Sequence, residues 1–291
     1  MPPGICGAAS NSRRSSSLKV AISGSSGLIG GALARALTND GDEIIAIPRG
    51  GSDLGGAEAV VHLSGAPITV RWNPQRKREI RTSRVLSTQR IADAIDASKQ
   101  PPRVFICASA IGIYGDRGSE VLDENSAPAD DFLADVVREW ERAARATRVR
   151  SVQLRFGVVL SPDGGALAKM LPVFRLGMGG RIATGAQWMS WIGLHDLLRV
   201  IRFAIASAGM NGAVNAVAPN PVTNAEFTET LARVLRRPAF GRVPEFALRG
   251  LFGEAAEVML ASQRVIPARL QESGFQFDAP TVENALRREL Q

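Results

Sequence analysis

Cysteine and histidine are nearly absent from this chain, and tyrosine occurs once. Cys6, Cys107, His62 and His195 are all it has of the two types in 291 residues. So few ligands cannot assemble a disulfide framework, a thiolate metal site or a histidine-rich one, and no metal is expected. Aromatics make up 5%, too little for a surface that stacks single-stranded bases. No apolar run reaches the ~18 residues of a membrane-spanning helix, so no membrane partner is expected. The first residues, MPPGICGAASNSRRSSS, lack the apolar segment of a secretory signal. They read as a disordered extension over 1–17 and a cytoplasmic chain. Their Ser/Arg-rich, acid-free composition leaves an organellar stroma or matrix as the alternative.

What is present is ordinary for a globular protein: 45% apolar and 22% charged residues. The formal net charge is +7, of which Arg13, Arg14 and Lys19 supply three. The remaining excess is modest and suits an anionic small molecule better than a nucleic acid. Arg71 to Arg90 hold seven basic residues and one acid, Glu79. Such a run is in the main a solvated helix face, and nucleic-acid binding through it is not expected.

Strand-like and helix-like runs alternate from residue 18 to 160. LKVAISG (18–24), EIIAI (43–47), AVVHLSG (59–65), RVFICASA (103–110) and SVQLRFGVVL (151–160) read as strands. LIGGALARALTNDG (28–41), a long segment at 73–98 opened by Asn73-Pro74, and DFLADVVREWERAARA (131–146) read as helices. This alternation predicts an α/β fold, a Rossmann-type doubly wound parallel sheet. After 160 a Gly-rich stretch (161–193) precedes a helix (194–207) and a strand returning to the sheet (213–219). A further helix opens with the capping box Thr223/Glu226. The expected division is a nucleotide-binding domain of 18–160 and 194–219, with a smaller substrate-side lobe of 161–193 and 220–291.

GSSGLIG gives Gly24-x-x-Gly27-x-x-Gly30 between a strand and a helix, the context a dinucleotide requires. Gly24 permits the tight turn, Gly27 the approach of a pyrophosphate, and Gly30 the close packing of helix on strand. Ser26, Leu28 and Ile29 complete the loop and offer the helix N-terminus to phosphates. The second strand is followed by Pro48-Arg49 with no acid before Asp53. That favours Arg49 gripping a 2′-phosphate over an acid holding a ribose diol, hence NADP(H) over NAD(H). Only PRGGSDLGGA joins the second strand to the third. Ten residues reach ~33 Å at most, enough to cross beneath the first strand but not to form another. One edge strand is therefore expected to be missing.

These features, with RWNPQRKREIRTSR, ASAIGIYG, DDFLADVVREWE, FGVVLSPDGGAL, QWMSWI, NAVAPNPVTNAEF and SQRVIPARLQESGFQFDAP in order, resemble the atypical extended short-chain dehydrogenase/reductases. The resemblance is to the epimerase-family subgroup, often labelled cell division inhibitors, whose C-terminal segment has no known function. It covers about residues 18–290 and implies NADP(H) binding, with an unsettled substrate. It implies that Leu63, Ser64 and Gly65 border the adenosine ribose, that Glu79 and Arg84 face the cofactor, and that Val158 lines the nicotinamide side. Ser109 matches the active-site serine. Met170, Phe174, Gln187, Trp188 and Trp191 are candidates for a substrate pocket or, equally, for the core between lobes.

The resemblance also shows what is missing. ADDFLADVVREWE (129–141) covers the place of the superfamily's tyrosine general acid and the lysine four residues on; here stand Leu133 and Val137. Neither exchanges protons, a loss typically worth ~10²–10⁴ in rate. The usual Trp-Ile-His is Trp191-Ile192-Gly193, with His195 nearby. Tyr114 is the candidate replacement donor, with loop packing its other reading. Two functions stay open: redox or epimerase-like chemistry on a small carbonyl or hydroxyl substrate with Ser109 orienting it, or a non-catalytic, nucleotide-gated binding module. Oligomeric state is not legible.

Overall fold

Six strands that the apolar runs anticipate pair edge to edge, all parallel. The structure, a computed structural model, describes residues 17–291; apart from Ser17, the extension expected over 1–17 lies outside them. The first half runs β1 (Lys19–Ser23), α1 (Leu28–Asn39), β2 (Glu43–Ile47), β3 (Ala59–His62), α2 (Pro74–Ala97), β4 (Val104–Ala110), α3 (Phe132–Arg145) and β5 (Arg150–Phe156). Helix α4 (Gly165–Arg175), α5 (Leu194–Ala206) and β6 (Gly212–Ala216) follow. The sheet order is β6-β5-β4-β3-β1-β2. No strand forms between Ile47 and Ala59, so β2 is the edge, as the ten-residue connection requires.

Both faces of the sheet are covered, which is why its strands read as continuous apolar runs rather than alternating ones. Val20, Ile22, Val61, Ile106, Leu154 and Val214 pack under Leu33 and Leu37 of α1 and Leu197, Val200 and Ile201 of α5. The intervening residues Ala21, Val60, Phe105 and Cys107 face Ile91 and Ile95 of α2 and Trp140 and Ala144 of α3. Asn73 caps α2 by accepting from the Arg76 amide at 2.7 Å, with Pro74 at the first turn.

The run 151–160 is not one strand. At Gly157 a β-carbon would lie 2.6 Å from the Ser190 carbonyl oxygen, and the chain leaves the sheet there. Its continuation, Val158–Ser161, pairs instead with Trp191–Gly193. A third core cluster gathers Leu160, Leu167, Leu171, Phe174 and Trp191 with Phe227 and Leu231 of α6 (Asn224–Leu235) and Leu286 of the helix Val282–Glu289. The expected capping box is present on α6, where Thr223 and Glu226 satisfy each other's backbone N–H.

The winding reverses between β1 and β3, so their C-terminal ends border a crevice, the usual ligand position in an open parallel sheet. Gly24 and Gly30 set how tightly this corner closes. A β-carbon on Gly30 would lie 2.2 Å from the Gly24 carbonyl oxygen. Gly30→Ala is therefore expected to force α1 off β1 and cost about 1–3 kcal/mol of stability. The drop in denaturant midpoint measures it; an unchanged midpoint would show that the corner tolerates a side chain.

Candidate functional site

The crevice is built from the loop after β1, the turn after β2 and the segment after β3. Gly24 has φ +81° and bonds its carbonyl to the Gly27 amide at 3.0 Å. Leu63 donates to the Ser23 carbonyl at 2.9 Å, and the Ser23 and Ser64 hydroxyls are 2.6 Å apart. Helix α1 begins at Leu28 with Gly27 as N-cap, no side-chain cap and no acid in its first turn. Its first-turn amides and positive dipole end are thus left for an anion. Ser26 and Gly27 are exposed, Leu28 and Ile29 half-buried, and Gly30 buried against the strand. This cradle, closed to a β-carbon at Gly30 and tight at Gly27, where one would lie 3.3 Å from the Gly24 carbonyl oxygen, fits a pyrophosphate.

Two arginines bracket the crevice. Arg49 is exposed immediately beyond β2. Beside it, the site of a Gly50 β-carbon is 3.9 Å from a terminal nitrogen of Arg90, so a second guanidinium reaches the same turn. On the other side, Arg84 comes within 3.2 Å of the position a Gly65 β-carbon would take. It donates to the carbonyls of Ala66 at 3.0 Å and Ile80 at 3.2 Å and lies over the Trp140 ring at 5.3 Å. Burial lowers its pKa to about 10. No carboxylate pairs with it among the described residues, and a half-buried cation without a counter-charge fits a site for an anion. Glu79, expected to face the cofactor, is exposed and paired with Arg76 at 2.6 Å. Leu63, Ser64 and Val158 are half-buried.

Ser109 and Tyr114 are both turned inward. Ser109 is buried on β4 and donates to Glu141 Oε1 at 2.7 Å. The carboxylate is gripped by Arg155 of β5, Nε to Oε1 at 2.7 Å and Nη2 to Oε2 at 3.0 Å. Arg155 Nη1 donates to the Tyr114 hydroxyl at 2.8 Å, and that hydroxyl donates to Asn215 Oδ1 of β6 at 2.8 Å. Asn215 continues the chain to the Ile266 carbonyl at 3.0 Å. Tyr114 has no exposed surface, and burial raises its pKa although Arg155 opposes the shift. Removing one partner of such a buried pair typically costs ~3–5 kcal/mol. The network pins β4, α3, β5, β6 and the C-terminal segment together. As the chain stands, Ser109 and Tyr114 are fasteners.

The place of the absent tyrosine and lysine is apolar. Leu133 is half-buried beside Gly112. Val137 is buried with Ile111, Ile113, Tyr114, Leu122, Val217 and Val265. Phe174 and Trp191, candidates for a substrate pocket, lie in the third core cluster, 3% and 0% exposed. Gln187 and Trp188 are half-buried, with Arg264 over the Trp188 ring at 4.2 Å. Met170 packs against the cluster's edge. His195 does not reach the crevice network: its Nε2 pairs with Asp278 at 2.8 Å. Arg199 bonds both Asp196 and Asp278 at 2.9 Å, standing where a cation between these acids would sit.

Glu141, Arg155 and Asn215 were not singled out from the sequence, though two of them were detectable. Glu141 falls on the apolar face of α3, one turn from Val137 and beside Trp140. Arg155 interrupts an apolar strand. Charges at buried positions pair with one another.

The chain matches the family model described as the NAD dependent epimerase/dehydratase family over residues 20–216, and a domain of unknown function (DUF1731) over residues 243–289. It is 41% identical over 291 residues to an epimerase family protein of Mycobacterium tuberculosis, covering 92% of this chain and 96% of that one. It is 39% identical over 305 residues to the chloroplastic SDR39U1 homolog of Arabidopsis thaliana, covering 95% and 88%. Among solved structures, human epimerase family protein SDR39U1 with NADPH superposes with a TM-score of 0.88 at 34% identity, covering 93% and 98%. The UDP-glucose 4-epimerase of Thermotoga maritima, at 15% identity and a TM-score of 0.74, shares the fold.

His62 carries the clearest pH signal of the site. It ends β3 fully buried, with Nε2 3.1 Å from the Ser87 hydroxyl. Ser87 directs its own proton to the Ser83 carbonyl at 2.5 Å, so Nε2 carries the ring proton. Nδ1 has no partner, so His62 is a half-satisfied core residue. Burial lowers its pKa to about 4 from 6.5. The folded chain then binds fewer protons than the unfolded chain between those values. His62's contribution is complete above pH 6.5 and is lost as pH falls toward 4, about 3 kcal/mol in all. His62→Gln is expected to flatten the pH dependence of the unfolding free energy across that window. An unaltered slope would assign acid sensitivity to other groups.

Proposed function

Because the chain belongs to the NAD dependent epimerase/dehydratase family, we propose that it binds NADP(H) in the crevice and acts on a small carbonyl or hydroxyl substrate. The observation that carries the reading is the uncapped N-terminus of α1 above the Gly24–Gly30 corner. Leu28, Ile29 and Gly30 would give their amides to the pyrophosphate. Arg49, with Arg90 beside it, would grip the 2′-phosphate through charge-assisted bonds. Leu63, Ser64 and Gly65 would border the adenosine side, with Arg84 supplying the counter-charge. Val158 would line the nicotinamide end. That human SDR39U1 was solved with NADPH supports this choice of cofactor.

Bound there, the cofactor would supply or accept a hydride. The chain's own residues position the substrate more readily than they move its proton. Leu133 and Val137 offer an apolar wall, and the Ser109 and Tyr114 hydroxyls are engaged with Glu141, Arg155 and Asn215. The balancing proton would come from water or from the substrate itself. Ser109 acts as a positioning residue for the end of β4 unless a substrate draws its hydroxyl away from Glu141.

The second reading, a binding module gated by the nucleotide, is favoured by one observation. The superfamily's lysine position is filled by Val137 inside a packed cluster, so that half of the catalytic pair has been replaced by core. Leu133→Tyr would separate the readings if it raised carbonyl reduction.

The cofactor assignment is tested by calorimetric titration. NADPH is expected to bind about tenfold to a hundredfold more tightly than NADH, the worth of charge-assisted bonds to the 2′-phosphate. Arg49→Ala should remove most of that difference. Equal affinities in the native chain would overturn the assignment.

A further inference from the structure

Of the nine large apolar side chains exposed among the described residues, most crowd into two segments that lie side by side. Met178 bridges to Ala239, and the strand Gly180–Ile182 pairs in parallel with Gly241–Val243. Val173, Leu176 and Met178 on one segment, and Phe240, Val243 and Phe246 on the other, all face water. Phe240 is 93% and Phe246 79% exposed. Both rings stand out from the surface, Phe240 at the rim of a cavity. A cluster of this kind on a folded chain marks a contact site.

A cavity of about 380 Å³ opens beside Phe240, lined by Arg181, Thr228, Glu229 and Arg242. Arg181 and Arg242 are register partners on adjacent strands, so both guanidinium groups stand on one side. Thr228 is 3% exposed, and its hydroxyl has no hydrogen-bond partner. Arg242 donates Nε to the Ala183 carbonyl at 2.7 Å, leaving its other donors. Arg236 and Arg237 lie four and three residues before Phe240 in the chain. No ion pair within the described residues involves Arg181, Arg236, Arg237 or Arg242. Two unpaired arginines lining one cavity, with an unpartnered hydroxyl behind its wall, fit a phosphate.

We propose that this face docks on an anionic lipid surface, with a headgroup phosphate held in the Arg181–Thr228–Arg242 cavity and Phe240 and Phe246 inserted beside it. Projecting aromatic rings with a basic rim are the arrangement that interfacial binding uses. Glu229, the one acid lining the cavity, suits a headgroup that carries hydroxyl groups as well as phosphate. A second copy of the chain is the poorer occupant. In a two-fold contact the patch meets itself, and the unpaired arginines of one copy would face those of the other. No described helix is long and apolar enough to cross a membrane, so the contact is with the surface.

The test is sedimentation of the full chain with vesicles of phosphatidylcholine alone or mixed with phosphatidylglycerol. Binding is expected only to the mixed vesicles and should weaken as salt is raised. Arg181→Gln and Arg242→Gln should each reduce it about fivefold. Phe240→Ser with Phe246→Ser should reduce it at least about tenfold, with no loss of thermal stability because both rings are exposed. Thr228→Val should weaken vesicle binding while leaving the chain as stable or more so. Any of these results overturns the proposal: equal binding to neutral vesicles; no binding to either; unchanged vesicle binding by the phenylalanine variant while glycerol phosphate still occupies the cavity, which marks a soluble anion site; or conversion of a dimer to a monomer by that variant, which marks a self-interface. Retention by soluble polyglutamate as strong as by mixed vesicles would assign the face to an acidic protein instead.

Discussion

The closeness of Gly30 to the Gly24 carbonyl is the constraint on which the crevice depends. With no β-carbon at either position, α1 can begin directly above β1 and aim its uncapped amides at the reversal point of the sheet. That single approach fixes where an anion sits and, through Leu63 and Ser64, how the end of β3 borders it. It also explains the company the corner keeps. Arg49 and Arg90 converge on one side, and Arg84 is held on the other in a setting that depresses its pKa. A half-buried arginine without a carboxylate is costly in isolation and sensible beside a phosphate.

Farther along the same C-terminal edge of the sheet, beyond β4, polar and apolar side chains are packed into the fold. Where a tyrosine and a lysine would have held and moved a proton, Leu133 and Val137 pack against the loop after β4. The two hydroxyls that could have substituted are tied into the line Ser109–Glu141–Arg155–Tyr114–Asn215. This line crosses three strands and joins the C-terminal segment, so its members are held by more than one element each. The crevice thus lies beside a buried network whose polar groups are already paired with one another.

Much of this was legible from residues alone, for reasons that differ by region. The parallel sheet, the glycine loop and the missing edge strand follow from local periodicity and chain length. Asn73, Pro74 and the Thr223/Glu226 box mark their helices through short-range hydrogen bonds. The directions of Ser109 and Tyr114 were not legible, because they are decided by partners 32 and 101 residues away. The assignment of Phe174 and Trp191 to core rather than pocket depends in the same way on helices near the C-terminus. Glu141 and Arg155 left a trace, each a charge in an apolar pattern, yet only the fold shows that they meet.

Hydrogen exchange read with and without NADPH addresses the central claim most directly. If the dinucleotide lies across the ends of β1, β2 and β3, peptides spanning residues 24–31, 48–51 and 63–66 should be protected together on adding the cofactor. Those over Arg150–Phe156 should change little, since their network is already closed. Protection confined to other segments, or none at all at saturating cofactor, would contradict the account.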